Sequence, residues 1–191
     1  MPYSAVLLAG GKSTRMGRDK ATILVDGVPL WQRQLTTLRA TGAAEIFISG
    51  KGTGPYAGSG VEVVSDHREN AGPLGGICAA LLRCTTPWCL VLAVDMPWMT
   101  ATYLRSLAQQ AEHAGNGFVP RNASGQWEPL AAVYPRAAAI SAEFCLLKGM
   151  VRMTEFVEDL KERGFIEARS FPTEDQQLFE NWNAPSDLPG A

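Results

Sequence analysis

Apolar residues fall along the chain in short blocks that alternate between two periods. Tyr3-Ser-Ala-Val-Leu-Leu-Ala9 is a continuous apolar run closed by glycines, the pattern of a strand buried on both faces. Ala21-Thr-Ile-Leu-Val25 leads to the turn Asp26-Gly27, and Pro29 is placed to open a helix at its first position. Leu30, Leu35 and Leu38 recur at helical spacing, and Gly42 ends that helix. Glu45–Ser49 and Val61–Ser65 read as further strands, separated by a glycine-rich loop over 50–60. Gly72-Pro-Leu-Gly-Gly76 leads into an apolar helix over 77–82. Trp88-Cys-Leu-Val-Leu-Ala-Val94 is the strongest strand signal in the chain. Thr100 caps a helix that runs to Gly115.

Strand and helix therefore alternate through the first half, which predicts an α/β fold of parallel strands with right-handed crossovers. The second half is less regular. It predicts a strand over 129–134, helices over 136–147 and 150–163, and a strand over 166–171. The pattern shows no repeat, low-complexity tract or linker, so residues 1–191 are expected to form a single domain.

Charge and composition narrow the function. A net charge of −2 gives no electrostatic reason to expect nucleic acid as a partner. The four cysteines, at positions 78, 84, 89 and 145, form no C-x-x-C pair, and His67 and His113 are far apart. A zinc site is not expected, and buried free thiols suit a reducing cytosol. There is no basic segment before an apolar one, and no apolar run approaches the roughly 20 residues that cross a bilayer. The expectation is a soluble, cytoplasmic protein that does not engage a membrane.

The chemistry gathers behind the first strand. A P-loop would need G-x-x-x-x-G-K-[S/T]; Gly11-Lys12-Ser13 supplies its end, but its first glycine would fall on Val6. Dinucleotide and protein-kinase loops fail on glycine spacing. What remains is a glycine pair, Gly10-Gly11, that lets backbone N–H groups approach an anion. Lys12, Arg15, Arg18 and Lys20 follow, with Asp19 as the local counter-charge. Such a cluster suits a triphosphate better than a neutral ligand. Asp95 directly follows the strongest strand and precedes Met96-Pro97. A carboxylate there can hold Mg²⁺, although a turn-forming aspartate would sit there too. Ser49 and Asp66 stand at the ends of two more strands, where ordinary strand-end chemistry is an equal reading. Asn181 and Asn183, two positions apart on an extended segment, would point the same way.

Leu8-Ala-Gly-Gly-x-Ser-x-Arg-Met-Gly-x-Asp-Lys20 resembles the signature of single-domain α/β nucleotidyltransferases, and most closely that of the molybdenum cofactor guanylyltransferases. Asp95-Met-Pro97, Gly72-Pro-Leu-Gly-Gly76 and Asn181-Trp-Asn-Ala-Pro185 resemble further segments of that family. The resemblance implies a three-layer α/β/α sandwich, Rossmann-like, with a mostly parallel sheet. It implies transfer of GMP from GTP to molybdopterin cofactor with release of pyrophosphate. It makes Asp95 the Mg²⁺ ligand and gives Lys20 and Arg15 the transition-state charge. Leu8, Ala9, Gly10, Gly11, Ser49 and Asp66 become nucleotide contacts, and Asn181 and Asn183 phosphate or acceptor contacts. The Leu8-Ala-Gly-Gly11 sequence favours a purine, since relatives that use CTP tend to have L-A-A-G.

The chain departs from the family at Ser49, where asparagine is expected, and at Glu128, where a basic or amide residue is usual in the acceptor region. The implied partners are GTP and molybdopterin cofactor, with other cofactor-biosynthesis proteins or recipient molybdoenzymes as further candidates. Transfer of CMP from CTP, transfer to another phosphorylated acceptor, and a non-catalytic nucleotide-binding regulator remain open alternatives at this point.

Overall fold

The computed structural model describes residues 1–10, 20–56, 58–65 and 71–182. Along these residues the strands are β1 (Ser4–Leu8), β2 (Leu24–Val25), β3 (Val28–Pro29), β4 (Glu45–Ser49), β5 (Glu62–Val64), β6 (Trp88–Ala93), β7 (Gly117–Arg121), β8 (Ala131–Pro135) and β9 (Ile166–Ser170). The α-helices are α1 (Leu30–Arg39), α2 (Gly72–Arg83), α3 (Ala101–Ala114), α4 (Ala138–Leu147) and α5 (Met153–Glu162). Short 3₁₀ turns cover Lys20–Thr22 and Thr173–Phe179.

Every residue of β1 and β6 is buried because both faces of these strands are covered. Successive side chains go to opposite faces, so each strand feeds two cores. Ala5, Leu7, Leu90 and Leu92 pack with Leu30, Leu35 and Leu38 of α1 and Leu104 and Leu107 of α3. Val6, Leu8, Cys89 and Val91 pack with Leu74, Ile77 and Leu81 of α2, Ala142 of α4 and Phe156 of α5. Two helical layers thus enclose one sheet, which is the expected three-layer sandwich.

The main sheet has seven strands in the order β5-β4-β1-β6-β8-β7-β9. β8 runs antiparallel to β6 and β7, and the remaining pairs are parallel. β2 and β3 form a separate hairpin through Asp26 and Gly27, whose φ values of 51° and 78° are those of a tight primed turn. Among the described residues, no helix is long and apolar enough to cross a membrane.

The structure moves some predicted boundaries. Pro29 pairs with Leu24 in the hairpin and caps α1 in an extended conformation, so the helix begins at Leu30. α2 starts at Gly72 rather than 77, with Pro73 in its first turn, where a missing N–H costs nothing. Thr100 caps α3 as expected, its hydroxyl accepting from Tyr103 N–H, and Gly115 closes the helix at φ 69°. β7 had no counterpart in the sequence reading. Its glycine and proline argue against a strand, yet a Cβ on Gly117 would lie 2.6 Å from Pro135 and 2.7 Å from Val133 O. Gly117 is the residue that lets β7 close against β8.

Candidate active site

From β1 the chain winds outward through β4 to β5, then returns to add β6 on the other side of β1. Strand order reverses between β1 and β6, and ligands of open α/β sheets bind outside the carboxyl ends of the strands at such a switch point. The register brings these ends level, because Leu8 pairs with both Ser49 and Ala93, and Ser49 pairs with Val64. Leu8, Ala9 and Gly10 leave β1 at the centre of that rim, and Asp95 leaves β6 beside them.

Lys20 and Asp95 meet there. Lys20 Nζ donates to Asp95 Oδ2 at 2.9 Å, with each side chain 19% exposed. The turn that carries Asp95 is held from three directions. Val94 N–H donates to Leu8 O at 3.0 Å. Gln34 of α1, itself buried, donates from Nε2 to Met96 O. Trp182 N–H donates to Asp95 O at 2.9 Å. Trp182 is buried and meets the Trp98 ring edge-on at 6.0 Å.

The nucleotide-contact candidates differ in what they leave available. Gly10 is exposed, and a Cβ there would meet Gly50 Cα at 3.4 Å, an ordinary contact. Leu8 and Ala9 are buried, with Ala9 N–H donating to Ser49 O at 2.9 Å and Ala9 O accepting from Tyr56 Oη at 3.0 Å. A carbonyl oxygen has two lone pairs, so Leu8 O and Ala9 O each retain acceptor capacity. Ser49 is 5% exposed, and its Oγ lies 2.2 Å from where a Gly76 Cβ would stand. Its side chain is therefore packed onto α2 rather than spread into the cleft. Asn181 is exposed, and its Nδ2 donates to Phe179 O at 3.3 Å. Gly11, Arg15, Asp66 and Asn183 lie outside the described residues.

Tyr56 and Trp182 were not assigned roles from sequence. Tyr56 is the lone aromatic of the glycine-rich segment 50–60; Gly50 and Gly54 make room for its ring, which meets Trp31 edge-on at 5.5 Å. That composition, one aromatic among glycines, was the available signal. Trp182 stands between the two candidate asparagines and fastens that segment to Asp95.

Among the described residues, no group of three or more His, Cys, Asp or Glu could hold an ion. A lone carboxylate such as Asp95 is chemically compatible with Mg²⁺, which takes one or two carboxylates and fills its remaining positions with phosphate oxygens and waters.

The sequence and fold match known proteins along most of the chain. The family model described as "MobA-like NTP transferase domain" covers residues 5–162. A probable molybdenum cofactor guanylyltransferase of Opitutus terrae is 40% identical over 187 residues, covering 96% of this chain and 92% of that protein. A molybdenum cofactor guanylyltransferase of Pseudomonas aeruginosa is 36% identical over 150 residues, covering 78% of this chain and 76% of its own. Molybdopterin-guanine dinucleotide biosynthesis protein A from Archaeoglobus fulgidus superposes with a TM-score of 0.78 at 23% identity, over 96% of this chain and 94% of that one. The same fold appears in 2-C-methyl-D-erythritol 4-phosphate cytidylyltransferase from Thermus thermophilus, with a TM-score of 0.69 at 17% identity, over 95% and 93% of the two chains. The chain belongs to the MobA-like NTP transferase family.

Proposed function

We propose that this chain is a molybdenum cofactor guanylyltransferase, transferring GMP from GTP to the terminal phosphate of molybdopterin cofactor and releasing pyrophosphate. The observation that carries the reading is the Lys20–Asp95 pair, closed at 2.9 Å at the switch point of the sheet. The names of its 40% and 36% identical relatives support it.

The reaction requires no nucleophile from the protein. An oxygen of the acceptor phosphate forms a bond to the α-phosphorus of GTP, and the bond from that phosphorus to the bridging oxygen breaks, with its electrons leaving on pyrophosphate. The chain's task is to align these groups and neutralise charge. Asp95 would hold Mg²⁺, which when bound supplies positive charge to the triphosphate oxygens. Lys20 would exchange its carboxylate partner for phosphate oxygens, and Arg15 would add a second cation from the glycine-rich loop. The Leu8-Ala-Gly-Gly11 sequence supports GTP over CTP, because a glycine leaves backbone and space for a purine edge.

The test compares GTP, CTP, ATP and UTP with Mg²⁺ by thermal shift, since a ligand that binds the folded state raises Tm. Pyrophosphate release in the presence of molybdopterin is then measured. GTP should give the largest shift and support release. A larger shift with CTP would move the chain to cytidylyl transfer. GTP binding without release would overturn the proposed acceptor.

A further inference from the structure

The two edges of the main sheet are finished differently. β5 closes one edge with three residues, and its Glu62 is engaged by Arg83 of α2 at 2.7 Å. β9 closes the other with five, Ile166-Glu-Ala-Arg-Ser170, and pairs with β7 alone.

The hydrogen bonds of β9 show which of its backbone groups face outward. Gly117 N–H donates to Phe165 O at 3.0 Å, and Phe171 N–H donates to Arg121 O at 3.0 Å. Successive residues of a strand turn their N–H and C=O groups to opposite sides. Phe165, Glu167, Arg169 and Phe171 therefore direct theirs to β7, and Ile166, Ala168 and Ser170 direct theirs to the open edge. No described residue pairs with them there. Such a row of N–H and C=O groups is a template for another strand.

The side chains alternate as well. Ile166 is buried in the core beneath α2, α4 and α5. Glu167 stands opposite Phe118, whose ring belongs to the other core, so Glu167 and Arg169 share that other face. Both are exposed, and neither forms an ion pair or side-chain hydrogen bond among the described residues.

Charges on an edge strand ordinarily guard against pairing, because like charges of two copies repel. Here the signs are opposite and symmetric about Ala168. In an antiparallel pair of β9 strands centred on Ala168, Ile166 meets the partner's Ser170 and Glu167 meets the partner's Arg169. The outward-facing residues then form the hydrogen-bonded pairs, each exchanging both N–H···O bonds. Glu167 and Arg169 fall in the closer, non-hydrogen-bonded pairs, where opposite charges attract. Sliding one strand by two residues sets Glu167 against the partner's Glu167, or Arg169 against the partner's Arg169. The charges thus favour one register.

We propose that β9 is the docking edge for a second copy of this chain, joined antiparallel about Ala168 into a two-fold dimer with one sheet running through both subunits. A two-fold contact requires a self-complementary surface, and Glu-Ala-Arg at an open edge supplies one. β8 and β7 separate β9 from β6, so pairing leaves the Lys20–Asp95 rim open and is independent of the reaction there.

Sedimentation equilibrium of the full chain at low salt, carried to several hundred micromolar, reads the association. A five-residue ladder is a small interface, so the dimer should appear in the micromolar range. E167R or R169E puts like charges into both cross-strand pairs and should weaken association roughly 10–100-fold. Mixing the two variants in equal amounts should restore it, because the doubly positive edge of one then faces the doubly negative edge of the other. The double variant E167R/R169E should associate as wild type does. Both side chains are exposed, so Tm measured on dilute protein should be unchanged in every variant. Wild type that stays monomeric at several hundred micromolar, a dimer indifferent to the single reversals, or single variants that remain monomeric when mixed would each overturn the proposal.

Discussion

Gly76→Ala tests how closely α2 is pressed onto the carboxyl ends of β1 and β4. The new Cβ would stand 2.2 Å from Ser49 Oγ, 3.1 Å from Ser49 Cβ and 3.2 Å from Leu8 Cδ2. The hydroxyl contact is impossible as it stands and must be relieved by rotating Ser49 or shifting the helix. The two carbon contacts need a few tenths of an ångström more. Overpacking of this kind costs about 1–3 kcal/mol, while replacing glycine by alanine in a helix returns up to about 1 kcal/mol. With the shortest contact so severe, the net loss should be about 2 kcal/mol, or roughly 4–8 °C in Tm for a chain of this size. Ser49→Ala removes the worst contact, so the double variant should recover most of the loss. Scanning calorimetry on wild type, both single variants and the double variant measures this coupling directly. A Gly76→Ala protein at least as stable as wild type, or strictly additive single changes, would refute the packing argument.

Three further outcomes follow from the site and its supports. Lys20→Ala or Asp95→Ala should lower turnover at least about 100-fold, the scale of losing one charged transition-state partner, and steady-state pyrophosphate release measures it. Trp182→Ala removes a 4% exposed aromatic, so chemical denaturation should show a loss of about 3–5 kcal/mol, with a weakened hold on the Asp95 turn. Stability should depend on pH through Glu128, whose folded-state pKa of about 7 lies above its ordinary 4.5. Between those values the folded chain keeps a proton that the unfolded chain has lost, so this group's contribution declines as pH rises through the window and levels off above it. Urea midpoints across that range should fall in wild type, and E128Q should lack this part of the decline.

What could be read from sequence was whatever depends on local pattern. β1 and β6 announced themselves because strands buried on both faces need unbroken apolar runs, and Asp95 stood out as a carboxylate at the end of one. Thr100 and Gly115 bracketed α3 through capping chemistry that acts within a turn. β7 escaped because Gly117 and Pro120 argue locally against a strand, while the requirement they answer is close contact with β8. Ser49 looked like a side chain at a ligand-bearing rim, and its packing onto Gly76 depends on a helix that begins well downstream. Tyr56 and Trp182 were missed for a related reason: each acts on a backbone carbonyl far away in the chain, Ala9 for one and Asp95 for the other. Glu128 showed as a departure from the family, but its half-burial comes from neighbours distant in the chain and could not be read locally.

The bond from Trp182 N–H to Asp95 O imposes an order of events on synthesis. β1, Lys20 and β6 leave the ribosome long before the segment that fastens the Asp95 turn. A nascent chain can therefore form the central strands and bring Lys20 to Asp95 while the turn still lacks its last support. The site reaches its finished geometry only when the strap behind β9 docks. Appearance of activity during translation would thus report arrival of that strap, and a protease cut between β9 and Trp182 would release the turn without dismantling the sheet.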